Sequence, residues 1–235
     1  VSAILRILQL SFATICRNVG SKDCILRFCM RQMTDCTIVS EHLHDEKPEE
    51  LISLMEKLHG REDINRMIEA VEDERLSIED VFSVALENKT KAGFHAAWVL
   101  EKLCEKNPIY ALYFVDELCE KFDRICNQSS MREFAKLLAG LLSKADKGRI
   151  DRELATKLQN LPKDKIIQRC FEFIIDKKVI NSTKQNCCEL LLFCIEKEDW
   201  IKDELQAYCD SLQLRCEPSS RAYRKRLQHK LNSLK

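Results

Sequence analysis

Several residues in this chain have types and spacings that could do chemistry. Cys24, Cys29 and Cys36 precede His42 and His44, five groups able to bind a soft metal. Glu101 and Glu105, like Glu117 and Glu120, are carboxylates about one helical turn apart, as in acid–base pairs. His95 lies near Trp98 in FHAAWVLEKLCEKNP, and Ser129-Ser130-Met131 offers two hydroxyls. None converges on a recognisable mechanism. The cysteine gaps of four and six residues fit no compact zinc loop, and no C-x-x-C pair occurs, so neither metal nor cofactor is expected. No second histidine is spaced to join His95, which reads as a core or edge imidazole. The paired acids read as solvated helix faces. Ser129 and Ser130 read as an N-cap, with Glu133 closing a capping box three residues after Ser130. No nucleophile, base and oxyanion site assembles, so the chain is not expected to be an enzyme.

The elements that would position these groups come from a repeated unit. A Ser or Thr opens a run of small and apolar residues, and a second amphipathic stretch comes after it. Copies begin near Thr90, Ser130 and Ser182, and a lone closing helix begins near Ser220. Aligning Ala97, Ala135, Cys188 and Lys225 gives intervals of 38, 53 and 37 residues. Two-helix units of roughly forty residues predict an α-solenoid. Asn107-Pro108 opens the second helix of the first copy, and Pro162 does the same job in the second. The long middle copy carries an insertion, residues 145–161, with its own pattern of Ile150, Leu154 and Leu158. Insertions in solenoids emerge on one face, so this segment is the first place to expect a partner. Three shorter apolar stripes precede the repeats: Leu51, Leu54, Met55 and Leu58; Ile64, Met67, Ile68 and Val71; and Ile78, Val81, Phe82 and Leu86.

Composition supports a helical body. Five glycines and four prolines are too few for turn-rich β architecture, and 32% charged with 45% hydrophobic residues suits neither a membrane protein nor a disordered one. A formal charge of zero hides an uneven distribution. Residues 41–218 carry 27 basic and 36 acidic side chains, and the last 17 residues carry six basic and none acidic. The body should repel nucleic acid. Thirteen cysteines, an odd number, with Cys104, Cys119, Cys126, Cys170, Cys187, Cys188, Cys194 and Cys209 inside helical patterns, indicate reduced thiols and a cytoplasmic setting. Residues 1–47 differ from the rest. Their apolar opening VSAILRILQLSFATIC is shorter than the roughly twenty residues that span a bilayer. It reads equally as capping helices or as an extension upstream of the true start, given Val1 and the downstream Met30, Met33 and Met55.

FHAAWVLEKLCEKNP, preceded by acid-rich helices, resembles the HEAT-like (armadillo-type) repeat proteins of bacteria, over about residues 50–235. The resemblance implies an all-α superhelix, and within that class the chain looks like a group of small bacterial HEAT-like proteins of unassigned role. Ser129-Ser130-Met131 is similar to the opening of the catalytic loop of the fumarase and adenylosuccinate lyase family. The proline, lysine and asparagine of that loop are missing, and that activity is rejected. In a second HEAT-like branch, the alkylpurine DNA glycosylases, a Trp faces the lesion and an Asp stands one turn on. Trp98 matches the first role, but Lys102 occupies the second position.

The expected protein is therefore an all-α right-handed α-α superhelix of HEAT/ARM type over residues 48–235. The first helix of each pair lies outside and the second lines the concave side. It acts as a monomeric scaffold binding another protein, with nucleic acid as the competing partner and no membrane. Candidate partner-binding residues are Trp98, Lys102, Arg149, Arg152, Arg221, Arg224 and Lys225. Trp98 should be buried, and Trp200 should anchor adjacent repeats. Tyr223, Leu227, Leu231 and Leu234 should form the buried stripe of a basic-backed terminal helix.

Overall fold

The computed structural model describes residues 47–87, 90–195, 200–212 and 218–233. These belong to one compact unit, Glu46–Lys235. The expectations placed on residues 1–46, including the Cys24–His44 group, and on Leu234 lie outside the described residues. Every regular element among the described residues is helical.

Three helices come first: α1 (Lys47–Glu56), α2 (Arg61–Glu72) and α3 (Ile78–Leu86). Ser77 caps α3 by accepting from Asp80 N at 3.2 Å. At the end of α2, Glu74 takes φ +57°, and Glu74 N and Arg75 N donate to the carbonyls of Val71 and Ala70. That is a Schellman motif closed by glutamate where glycine is usual. All three helices bury apolar stripes against α4 (Lys91–Lys106), although Leu54 stays 44% exposed. Thr90 Oγ1 caps α4 by accepting from Gly93 N at 3.1 Å, at the helix start the sequence indicates.

α4 packs on α6 (Gln128–Asp146), and α6 packs on α9 (Asn181–Leu191). With α11 (Pro218–Ser233), these helices begin at residues 91, 128, 181 and 218, start-to-start steps of 37, 53 and 37 residues. The intervening helices are shorter and more broken than expected. Asn107 does cap at Pro108, but the chain there forms a 3-10 turn, Pro108–Tyr113, and then the short α5 (Val115–Glu120). Pro162 is itself the N-cap residue of α8 (Lys163–Ile175). The insertion forms α7 (Arg152–Gln159), which buries Leu154 and Leu158 against α6 and the 108–113 turn. Gly148, at φ +63°, closes α6 in a second Schellman motif. Finally α10 (Trp200–Ser211) packs on α11, whose Tyr223, Leu227 and Leu231 are buried as the stripe predicts.

Helix ends leave carbonyls without intrahelical partners. Here lysines from neighbouring helices reach them. Lys91 Nζ donates to Glu56 O at 3.1 Å, Lys144 to Glu105 O at 2.8 Å, Lys165 to Glu120 O at 2.6 Å and Lys184 to Ile174 O at 2.8 Å. Each places an ammonium at the negative end of a helix dipole.

Candidate functional site

Phe94, Trp98, Glu101, Lys102 and Glu105 recur at helical spacing and share one side of α4. Trp98 is only partly buried, less than a core aromatic should be. It stacks on Phe94 with ring centroids 5.9 Å apart and planes at 16°. Arg132 of α6 covers the Phe94 ring at 5.6 Å. Glu101 does not lie on a solvated face; it is 3% exposed. The close approach of α4 and α6 buries it, and Lys136 of α6 compensates with its Nζ 2.9 Å from Glu101 Oε1. Oε2 makes no hydrogen bond and sits 3.5 Å from Lys102 Nζ. Lys102 also pairs with Glu105. Burial pulls the Lys102 ammonium down, but the Glu105 hydrogen bond and the charges of Glu101 and Glu105 outweigh it and leave the pKa raised. This carboxylate therefore ties α4 to α6, and Lys102, half-covered, is already engaged by two acids.

The other chemically suggestive groups also hold structure. His95 is 5% exposed, with Nδ1 2.6 Å from Met55 O, which fixes α4 against α1. Asn127, not Ser130, caps α6: its Oδ1 accepts from Ser129 N at 2.8 Å and Ser130 N at 3.4 Å. Ser130 lies inside the helix, fully buried, and Glu133 pairs with Arg132 at 2.8 Å instead of closing a capping box. An asparagine one residue before the first helical position outcompeted the serine pair. The eight cysteines among the described residues are thiols, and all are buried except Cys126. Burial pushes Cys104 and Cys119 up to about 12, so these thiols are poor nucleophiles at neutral pH.

The remaining candidates occupy separate elements. Arg149 stands exposed in the α6–α7 connection and Arg152 exposed in the first turn of α7. Arg221 and Lys225 are exposed on α11, while Arg224 is half-buried there. Among the described residues, no group of three or more His, Cys, Asp or Glu is placed to hold a metal ion. No described helix is long and apolar enough to cross a membrane.

One concavity was not anticipated. Between α8 and the start of α10 lies a groove of ≈ 570 Å³, floored by Phe171, Ile175 and Trp200 and rimmed by Asp164, Glu172 and Glu204. Trp200 packs on Phe171 with centroids 5.2 Å apart, yet remains 47% exposed, and Ile175 is 74% exposed. Trp200 is therefore braced by Phe171 while about half of its surface stays exposed. No family model, curated protein or solved structure matches the chain. The signal in the sequence was KDKIIQRCFEFII, which carries more apolar residues than one stripe can bury. Ile166, Ile167, Cys170, Phe173 and Ile174 fill the core, and Phe171 and Ile175 are left on a second face.

Proposed function

We propose that this chain is a non-enzymatic helical-repeat scaffold or adaptor that binds another protein. Its helix pairs would wind as a right-handed α-α superhelix of the HEAT/ARM type that the sequence resembles. The packing of α4 on α6 and of α6 on α9, at recurring intervals, supports that architecture. The observation that carries the functional reading is the use made of Glu101. The most buried carboxylate beside an aromatic pair is tied to Lys136 of the adjacent helix. Polar groups that an enzyme would aim into a cavity here join one repeat to the next, while the apolar groups of α8 and α10 are left open to the surface.

A nucleic-acid role is the second reading, favoured by the exposed Arg221, Lys225 and Arg226 of α11. Lys102, the cation nearest Trp98, is engaged by Glu101 and Glu105, which weighs against extending a basic track along α4. Chemical cross-linking of the purified chain in host extract, followed by mass spectrometry and reconstitution with the recovered protein, tests the proposal. One reproducible partner that rebinds in purified form supports it. Tight, steeply salt-dependent binding to duplex or single-stranded DNA in place of a protein would overturn it.

A further inference from the structure

We infer that the groove between α8 and α10 is a docking site for a basic amphipathic helix of a partner protein. The inference rests on the protein-binding role proposed above and specifies one surface for it. The floor is hydrophobic and aromatic: Phe171, Ile175 and Trp200 present apolar side chains in a concavity of ≈ 570 Å³, with Trp200 47% and Ile175 74% exposed. A half-open tryptophan braced by a phenylalanine is the type of residue that dominates interface energies when a partner completes its burial. The rim chooses the partner's charge. Asp164, Glu172 and Glu204 surround the floor. Glu172 is already engaged by Arg169 and Gln168, which hold its carboxyl below its ordinary pKa, so the exposed Glu204 is the rim acid on which the choice of charge is tested. The surrounding body has the same sign, with 36 acidic against 27 basic residues over 41–218.

The geometry also favours a helix over an extended strand. Along Ile167–Phe171 the wall of α8 uses its backbone groups within the helix, so a bound strand would find few main-chain partners there. A helix satisfies its own backbone and offers apolar residues at i, i+3, i+4 and i+7, with lysine or arginine beside them. Phe171 and Ile175 stand one turn apart on α8, a spacing of about 6 Å that meets successive turns of such a helix.

The test uses the full chain and a fluorescein-labelled leucine–lysine model peptide about four turns long, with leucines at those positions, read by anisotropy. A matched peptide with glutamate for lysine is the control. The basic peptide should bind, and the acidic one should bind at least about tenfold more weakly. Trp200→Ser should weaken the basic peptide about tenfold or more. Glu204→Lys, at an exposed position that leaves folding intact, should weaken it and flatten its salt dependence. Equal binding of both peptides, or affinity unchanged in Trp200→Ser and Glu204→Lys, overturns the groove assignment. In that case a reconstituted natural partner that still binds leaves the scaffold reading standing. Sedimentation equilibrium of the chain alone adds one further outcome: a dimer that Trp200→Ser dissociates would make a second copy the occupant, and the proposal would fall.

Discussion

Lys184, 3% exposed on α9, places its ammonium 2.8 Å from the carbonyl oxygen of Ile174 in the last turn of α8. A buried lysine is costly unless its charge is met. Here it meets the negative end of a helix and a carbonyl that has no intrahelical donor. Lys91, Lys144 and Lys165 repeat the arrangement at Glu56, Glu105 and Glu120. Substituting Lys184 by Met keeps the aliphatic stem and removes the donor. The loss should be about 1–3 kcal/mol, measured by urea denaturation. An unchanged midpoint would mean that desolvating the ammonium cancels what the bond returns.

The backbone at Glu74 holds a left-handed conformation, φ +57°, that costs an L-residue about 1–2 kcal/mol. Glu74→Gly relieves that strain at the Schellman position. The variant should melt higher, with a gain of about 0.5–1 kcal/mol after the added freedom of the unfolded chain is subtracted. A lower melting temperature would show that the glutamate side chain contributes more than its backbone costs.

The terminal helix separates packing from charge. Leu227 and Leu231 are 0% and 1% exposed, whereas Arg221 and Lys225 face solvent. Leu227→Ser with Leu231→Ser should release α11, with about 3 kcal/mol or more lost per site and faster amide exchange in α10 and α11. Changing Arg221, Arg224 and Lys225 to Gln should leave helix content intact by circular dichroism and abolish only salt-sensitive polyanion binding. If the leucine changes are silent while the charge changes remove a specific partner, α11 is a recognition element.

Stability should respond to acid through Glu105. The hydrogen bond from Lys102 lowers its carboxyl pKa, against a smaller opposing effect of burial. A lowered folded-state pKa contributes stability that is complete above the unfolded value of about 4.3 and lost as pH falls through the folded value. Urea midpoints measured between about pH 5 and 3 should fall less steeply in Glu105→Gln than in the parent chain. The difference should be small, since the Glu105 side chain is 56% exposed and solvent screens the pair.

The helical class and the α11 stripe were legible because they depend on periodicity, which burial enforces wherever a face is covered. The caps at Thr90 and Asn107 were legible for a local reason: side chain and orphan amide are within three residues of each other. What stayed hidden depends on contacts between distant segments. Glu101 is buried only because α6 approaches α4, and the lysine that compensates it lies 35 residues away. The cap at α6 was misplaced because Asn127 and Ser130 both have the right chemistry, and register alone decides between them. Trp200 was expected to anchor adjacent repeats, yet it packs on Phe171 and remains 47% exposed. Of the candidate site, sequence supplied cations on four separate segments and missed the groove, whose residues come from helices some thirty positions apart.

The buried thiols give the molecule an internal set of clocks. Cys104 lies in α4, Cys170 in α8, Cys187 and Cys188 in α9 and Cys209 in α10, so separate helices each hold a sulfur that a modifying reagent reaches only when that helix parts from its neighbours. Burial raises the pKa of Cys104, Cys170, Cys188 and Cys209 and holds those thiols protonated, so attack on them waits for local opening, which restores both access and an ordinary thiolate fraction. Alkylation rates mapped peptide by peptide would thus read out opening free energies along the chain without any engineered label, and would reveal whether the helices part from one end or all together.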